Sequence, residues 1–414
     1  MTRSLIKLVE MIHTGKLTAT SLVEEACDNA VAHSELNAFI SLHRKTALKA
    51  AQTIDRQLTK AGHRWPLAGT PLAVKDNIDV KGMNTTAGTL GINYPAKQSA
   101  PMVERLQKAG AIVIGKTNLH ELAFGVTSNN AAFGAVRNPR DLACFPGGSS
   151  GGTAAAIAAD IVPAGLGTDT AGSVRLPAAL TGTVGLRPTT SRLSCEGVVP
   201  SVPAFDTIGP MAQSVADVIY LFEIITGSKL PQSTALNQLR LGIVHPLSDN
   251  LSPGVARAFQ AALNKLGNAG VGFLEVDLSH IVDASFEVGF PIAFHQMKTA
   301  MTRFLAIQQP QTQFEELVAM IKSKDVKAVY RESVMGISAP SNVTYETALK
   351  RIPEIRSDYL RMMQKNALDA LIFPTAVIEA QPIDTSSNTL ELNGQKIPTL
   401  SAQHFGQFHA AIAP

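Results

Sequence analysis

Two stretches decide how this chain is read: Pro146-Gly-Gly-Ser-Ser-Gly-Gly-Thr153 and Gly167-Thr-Asp-Thr-Ala-Gly-Ser-Val-Arg-Leu-Pro-Ala178. Each frames a serine, Ser149 and Ser173, with glycines that let backbone approach closely and turn where other residues cannot. A serine attacks a carbonyl only when a base takes its proton and N–H groups meet the oxyanion that forms. One such loop is a weak signal, because a glycine-flanked serine is most often a turn residue or a helix N-cap. Two in close succession, followed by Gly185-Leu-Arg-Pro-Thr189, point to nucleophilic chemistry.

The surroundings of these loops alternate between strand and helix patterns. Pro71-Leu-Ala-Val-Lys75 is a short apolar run ending on a lysine, and Ala111-Ile-Val-Ile-Gly115 reads as the next strand after a helix over 103–110. Gly115-Lys-Thr-Asn-Leu-His-Glu-Leu122 reads as entering a helix capped by Asn118. Residues 125–152 are rich in breakers and read as a long loop, a frequent carrier of function. Ala154–Ala159 is a small-residue helix, Ala164–Thr168 a strand, and Ser173 opens a further helix. Residues 1–62 read as helices, with Ser21-Leu-Val-Glu24 as a capping box. Downstream, strands at 239–244, 272–276 and 370–373 alternate with helices over 254–266, 281–328 and 344–366. This alternation predicts an α/β fold, a central, largely parallel or mixed sheet covered on both faces by helices. No repeat or low-complexity linker divides the chain, so a single domain over 1–414 is expected.

Composition narrows the class. With 414 residues, 45% hydrophobic, the chain can bury a large core. A formal net charge of +3 without a basic cluster argues against a nucleic-acid partner. Cys27, Cys144 and Cys195 form no C-x-x-C pair, and the ten histidines show no metal spacing, so neither a metal nor a cofactor is expected. Lys7 and Glu10 interrupt the start, and no uncharged apolar run reaches the ~18 residues of a membrane span. The expectation is a cytoplasmic protein with no membrane partner.

Competing motifs fail on context. Gly147-x-Ser149-x-Gly151 matches a nucleophile elbow, but the two prolines of Asn138–Pro146 preclude the strand it requires. Gly147–Thr153 lacks a P-loop lysine, and Thr170 stands where a dinucleotide fingerprint needs its third glycine. Cys144 has only Arg140 as a basic neighbour and reads as a buried thiol rather than a nucleophile.

Taken together, Val74-Lys-Asp-Asn-Ile78, Gly115-Lys-Thr-Asn118, both serine loops, Gly185-Leu-Arg-Pro-Thr189 and Asp206-Thr-Ile-Gly-Pro210 resemble the amidase signature family of serine hydrolases. The resemblance is dense over about 65–220. It implies a relay in which Lys75 is the base, Ser149, after a cis peptide bond, the bridge, and Ser173 the nucleophile. It places the oxyanion near the N–H groups of Thr170, Ala171 and Gly172, although Ala171 stands where many members have glycine. Arg175 is expected to brace the loop. Within the family the chain is most similar to indoleacetamide and mandelamide hydrolases. That implies a small aryl-containing primary amide as the partner, cleaved to carboxylate and ammonia through a seryl acyl-enzyme, with a homodimer as the candidate assembly. Phe124, Val126 and Phe145 are the candidates for an apolar pocket. The alternatives are an allophanate- or carboxybiuret-type hydrolase, a glutamine-type hydrolase, and a catalytically impaired amide-binding homologue. The last follows from the ending at Ala410–Pro414, shorter than the family's.

Overall fold

Residues 4–61, 64–231, 233–384 and 389–399 are described by the computed structural model, and the ending at Ala410–Pro414 lies outside them. The fold is α/β, as expected. A six-stranded central sheet runs in the order Phe39–Leu42, Ile112–Thr117, Pro71–Lys75, Ala164–Thr168, Ile208–Ala212, Val184–Gly185. Its middle three strands are parallel and its outer pairings antiparallel, so the sheet is mixed.

Strand alternation builds two cores. Leu72, Val74, Val113, Leu166 and Ile208 pack toward the helices Leu5–His13, Pro101–Lys108 and Val215–Thr226. Ala73, Ile112, Ile114 and Met211 face the helices Ala19–Ala32, Gly151–Ala158 and Arg175–Thr181. Lys75 follows Ala73 on that second face. The helix Gly151–Ala158 is buried along its whole length, which only small residues permit. A second, three-stranded parallel sheet, Gly272–Asp277, Arg240–His245 and Ala370–Ile372, supports the long helices Ser279–Gln308 and Asn342–Lys365. These belong to a third core that also takes Ala87, Leu122 and Phe205 from the loops above the central sheet.

Three sequence expectations need correction. The N-terminal portion is not wholly helical, because Phe39–Leu42 forms an edge strand paired with Ile112–Thr117. The helix expected to begin with Ser21 starts three residues earlier. Thr18 and Ser21 exchange backbone and side-chain bonds there, while Asp55 accepts the Ala19 and Thr20 N–H groups at 2.8 and 2.9 Å. No helix follows Asn118. Only a short turn, Glu121–Ala123, forms, with Leu122 and Ala123 at positive φ. The reason is competition: the N–H of His120 donates to Ser149 O at 3.1 Å and that of Leu122 to Ala87 O at 2.8 Å.

A Cβ at Gly152 would lie 2.4 Å from Asn118 O and 2.5 Å from Ala38 O. Overpacking of this kind costs about 1–3 kcal/mol. Gly152→Ala is therefore expected to lower the urea midpoint, whereas Ala158→Gly, at the other end of the same helix, should cost about 1 kcal/mol or less. Equal midpoints for Gly152→Ala and wild type would contradict this packing.

Candidate active site

The parallel strands Pro71–Lys75 and Ala164–Thr168 end side by side, so Lys75 and Thr168 emerge together at the carboxyl edge of the sheet. Open α/β sheets bind ligands at that edge. Lys75 is 0% exposed. Its Nζ lies within hydrogen-bond distance of Ser149 Oγ and Thr168 Oγ1, both at 2.8 Å, and 3.4 Å from Thr168 O. Asn77 Nδ2 donates to the same Thr168 Oγ1 at 3.0 Å. Burial pushes the Lys75 amine down to about 7, against the opposing pull of Asp169 and Asp206.

Ser149 is also fully buried, and the peptide bond from Gly148 is cis. The close approach of Gly148 to the backbone of Val126–Ser128 leaves no room for a Cβ. Ser173 is half-buried, so of the three it alone reaches the surface. The two serine loops are stitched together where the Ser150 N–H donates to Ser173 O at 3.1 Å. The side-chain contact expected between Ser149 and Ser173 is absent: among the described residues Ser149 Oγ bonds Lys75, and Ser173 Oγ has no hydrogen bond.

Asp169 organises the second loop. Fully buried, it accepts the N–H of Gly172 at 2.7 Å and that of Val174 at 3.2 Å. Arg175 approaches it with Nε at 3.0 Å and Nη2 at 2.9 Å, and Arg187 Nε stands 3.4 Å away. Burial alone would raise the carboxyl, but the two guanidinium groups and the Gly172 N–H outweigh it and hold the group well below the usual carboxylate range. Arg175 thus braces the loop. The Gly172 N–H, expected at the oxyanion, is committed to Asp169 instead. Among the described residues, the N–H groups of Thr170, Ala171 and Ser173 are the ones in this loop without an acceptor. Thr170 Oγ1 is tied to Asp206 Oδ1 at 2.5 Å.

The amidase family's sequence profile matches residues 21–405. The chain belongs to the amidase family. It is 40% identical over 395 residues to a mandelamide hydrolase of Pseudomonas putida, covering 91% of this chain and 78% of that one. To an indoleacetamide hydrolase of Agrobacterium vitis it is 37% identical over 402 residues, with 96% and 85% covered. A crystal structure of an amidase superposes with a TM-score of 0.88 at 31% identity, over 99% of this chain and 90% of that one. The protein is an amidohydrolase that cleaves an amide C–N bond.

Along the Val126–Thr127 segment, against whose backbone Gly148 packs, this amidase has a cavity of about 370 Å³; Lys75, Ser149 and Ser173 are not among its lining residues. Phe124, Val126 and Phe145 line it, as the sequence suggested, together with Val329 and Leu390 from the C-terminal half. Sequence reading missed Thr168, Asn77 and Asp169, which hold Lys75 and the second loop, and the C-terminal wall. Thr168 and Asp169 stand between the motif's landmarks and were legible only as spacer. Cys144 is buried, with burial raising its thiol and Asp141 adding to the effect, as fits an inert residue. Among the described residues no cluster of His, Cys, Asp and Glu is arranged to hold a metal, and no helix is long and apolar enough to cross a membrane.

Asp169→Ala would leave Arg175 and Arg187 without their shared anion and the Gly172 and Val174 N–H groups without an acceptor. Removing one partner of a buried pair costs about 3–5 kcal/mol. Denaturant unfolding should show a loss in that range, and amidase activity should fall with it. A loss under about 1 kcal/mol would contradict the role assigned to Asp169.

Proposed function

We propose that this amidase hydrolyses small aryl-bearing primary amides to carboxylate and ammonia, with Ser173 as nucleophile, Ser149 as bridge and Lys75 as base. The observation that carries this reading is the 2.8 Å contact of a fully buried Lys75 Nζ with Ser149 Oγ. A neutral amine has two hydrogens and one lone pair. Thr168 Oγ1 and Thr168 O stand on the side that receives the hydrogens, at 2.8 and 3.4 Å, which leaves the lone pair for the Ser149 hydroxyl.

The Ser173 side chain turns toward Ser149, a rotamer change on the picosecond-to-nanosecond scale. Lys75 takes the Ser149 proton as Ser149 takes that of Ser173, and Ser173 Oγ bonds to the amide carbon. The N–H groups of Thr170, Ala171 and Ser173 receive the oxyanion. When the tetrahedral species collapses, the C–N bond breaks, Ser149 protonates the departing amine and recovers its proton from Lys75. Water then enters by the same relay and splits the acyl ester, releasing the carboxylate. The aryl preference is supported by the aromatic lining at Phe124 and Phe145 and by the names of the mandelamide and indoleacetamide hydrolases to which the chain is similar.

Ammonia release across arylacetamides, aliphatic amides, allophanate and glutamine tests the substrate. The arylacetamides should give the highest kcat/KM, and a preference for glutamine or allophanate would overturn the aryl reading. Labelling with a fluorophosphonate followed by peptide mapping tests the nucleophile. The adduct is expected on Ser173, and one on Ser149 or Ser150 would reverse the assignment.

A further inference from the structure

His120 is 1% exposed and stands at the centre of a set of contacts that the proposed relay does not use. Its backbone N–H donates to Ser149 O at 3.1 Å. Its ring Nδ1 accepts the Ser128 N–H at 3.2 Å and lies 3.4 Å from the Thr127 N. A nitrogen that accepts from the backbone carries no proton, so in the neutral ring the proton sits on Nε2. Nε2 lies 3.0 Å from Asp325 Oδ2. The ring is held against Gly125, where a Cβ would lie within 2.4 Å of it. Asp325 is fixed from a second side as well. Buried Glu121 accepts the N–H groups of Lys322 and Ser323 at 3.1 Å or less, and so ties down the start of the Lys324–Val329 helix.

Asp325 belongs to the wall of the 370 Å³ cavity, which Phe124 and Phe145 also line. The other charged residues of that wall, Lys322, Lys324 and Asp384, are all exposed, whereas Asp325 is half-buried. Burial would raise its carboxyl, but the His120 ring and the N–H groups at the start of its helix together outweigh burial and hold the carboxyl below its ordinary range. With Oδ2 against His120, Oδ1 has no side-chain partner among the described residues, on a wall that mixes apolar side chains with Thr127, Asn129 and Thr389. We infer that Asp325 is a specificity-determining residue that selects aryl amides whose ring carries an O–H or N–H donor, with His120 as the positioning residue that orients it. This rests on the aryl amide reading above. The physical basis is an asymmetry: a site built to bond a donor discriminates strongly against the analogue that lacks it, because the site's own polar group is then left unpaired.

The test compares KM for phenylacetamide with that for 4-hydroxyphenylacetamide and indole-3-acetamide. The wild-type enzyme should favour the donor-bearing rings by roughly tenfold, the order expected for a hydrogen bond to a charged acceptor. In Asp325→Leu the KM ratio between donor-bearing and donor-free substrates should collapse to about one. Asp325→Asn keeps an acceptor for His120 and offers an amide in place of the carboxylate, so it should fold as wild type does and also lose the ratio. His120→Gln, whose side-chain amide reaches the Nε2 position, should retain part of the preference, and His120→Leu should retain none. A wild-type ratio near one overturns the inference and leaves the aryl amidase reading standing. So does an Asp325→Asn enzyme with an unchanged ratio. If wild type releases no ammonia from any of the three amides, the aryl reading fails, and this inference with it.

Discussion

A lysine with no exposure and no carboxylate in contact is the constraint on which the site depends. Lys75 ends a strand whose other residues are all buried, and its Nζ meets only Ser149 and Thr168 among the described residues. Full desolvation penalises the ammonium far more than the amine, so the fold holds the group near the point where it exchanges protons at neutral pH. Asp169 and Asp206 oppose this from a distance, without contacting the amine. Were either in direct contact, the ammonium would be stabilised and lost as a base. The fold commits Asp169 to Arg175 and Arg187, and Asp206 to Thr170 and the N–H groups of Ser201 and Val202. Bracing the second serine loop and keeping Lys75 without an ion-pair partner are therefore the same arrangement.

The opposite outcome occurs one strand away. Lys116 is equally buried, but it faces the other side of the sheet and pairs with Asp76 at 3.0 Å while donating to Thr85 Oγ1 at 3.0 Å. No pull toward the amine is needed there, and the ion pair ties the turn after Lys75 to the neighbouring strand. Two buried lysines thus differ in role because one has a carboxylate in contact and the other has hydroxyls.

Much of this was legible in the sequence. An apolar run ending on lysine, two glycine-framed serines and a small-residue helix are local patterns, and they located Lys75, Ser149, Ser173 and the parallel strands that carry them. The edge strand Phe39–Leu42 was not legible, because it is short and only half-buried. The failed helix after Asn118 shows the limit of local propensity: its N–H groups are taken by Ser149 and Ala87, partners that no window of sequence contains. Gly172 reads as an oxyanion donor until Asp169 claims its N–H. The contact between His120 and Asp325 joins residues far apart in the chain, and only the third core, which packs the C-terminal helices over the signature loops, brings them together.

If the buried Lys75 works as a neutral base, its titration governs the pH dependence of kcat/KM for the preferred amide. A lysine whose folded value is held near 7, below its ordinary 10.5, is protonated and inactive at lower pH and becomes competent as pH rises. A single rising limb is expected, with its midpoint near 7 and a plateau into the alkaline range, together with no activity in Lys75→Arg, whose guanidinium stays protonated, and the same limb in His120→Gln. Substantial turnover by Lys75→Arg, or a limb that disappears in His120→Gln and persists in Lys75→Arg, would contradict Lys75 as the base.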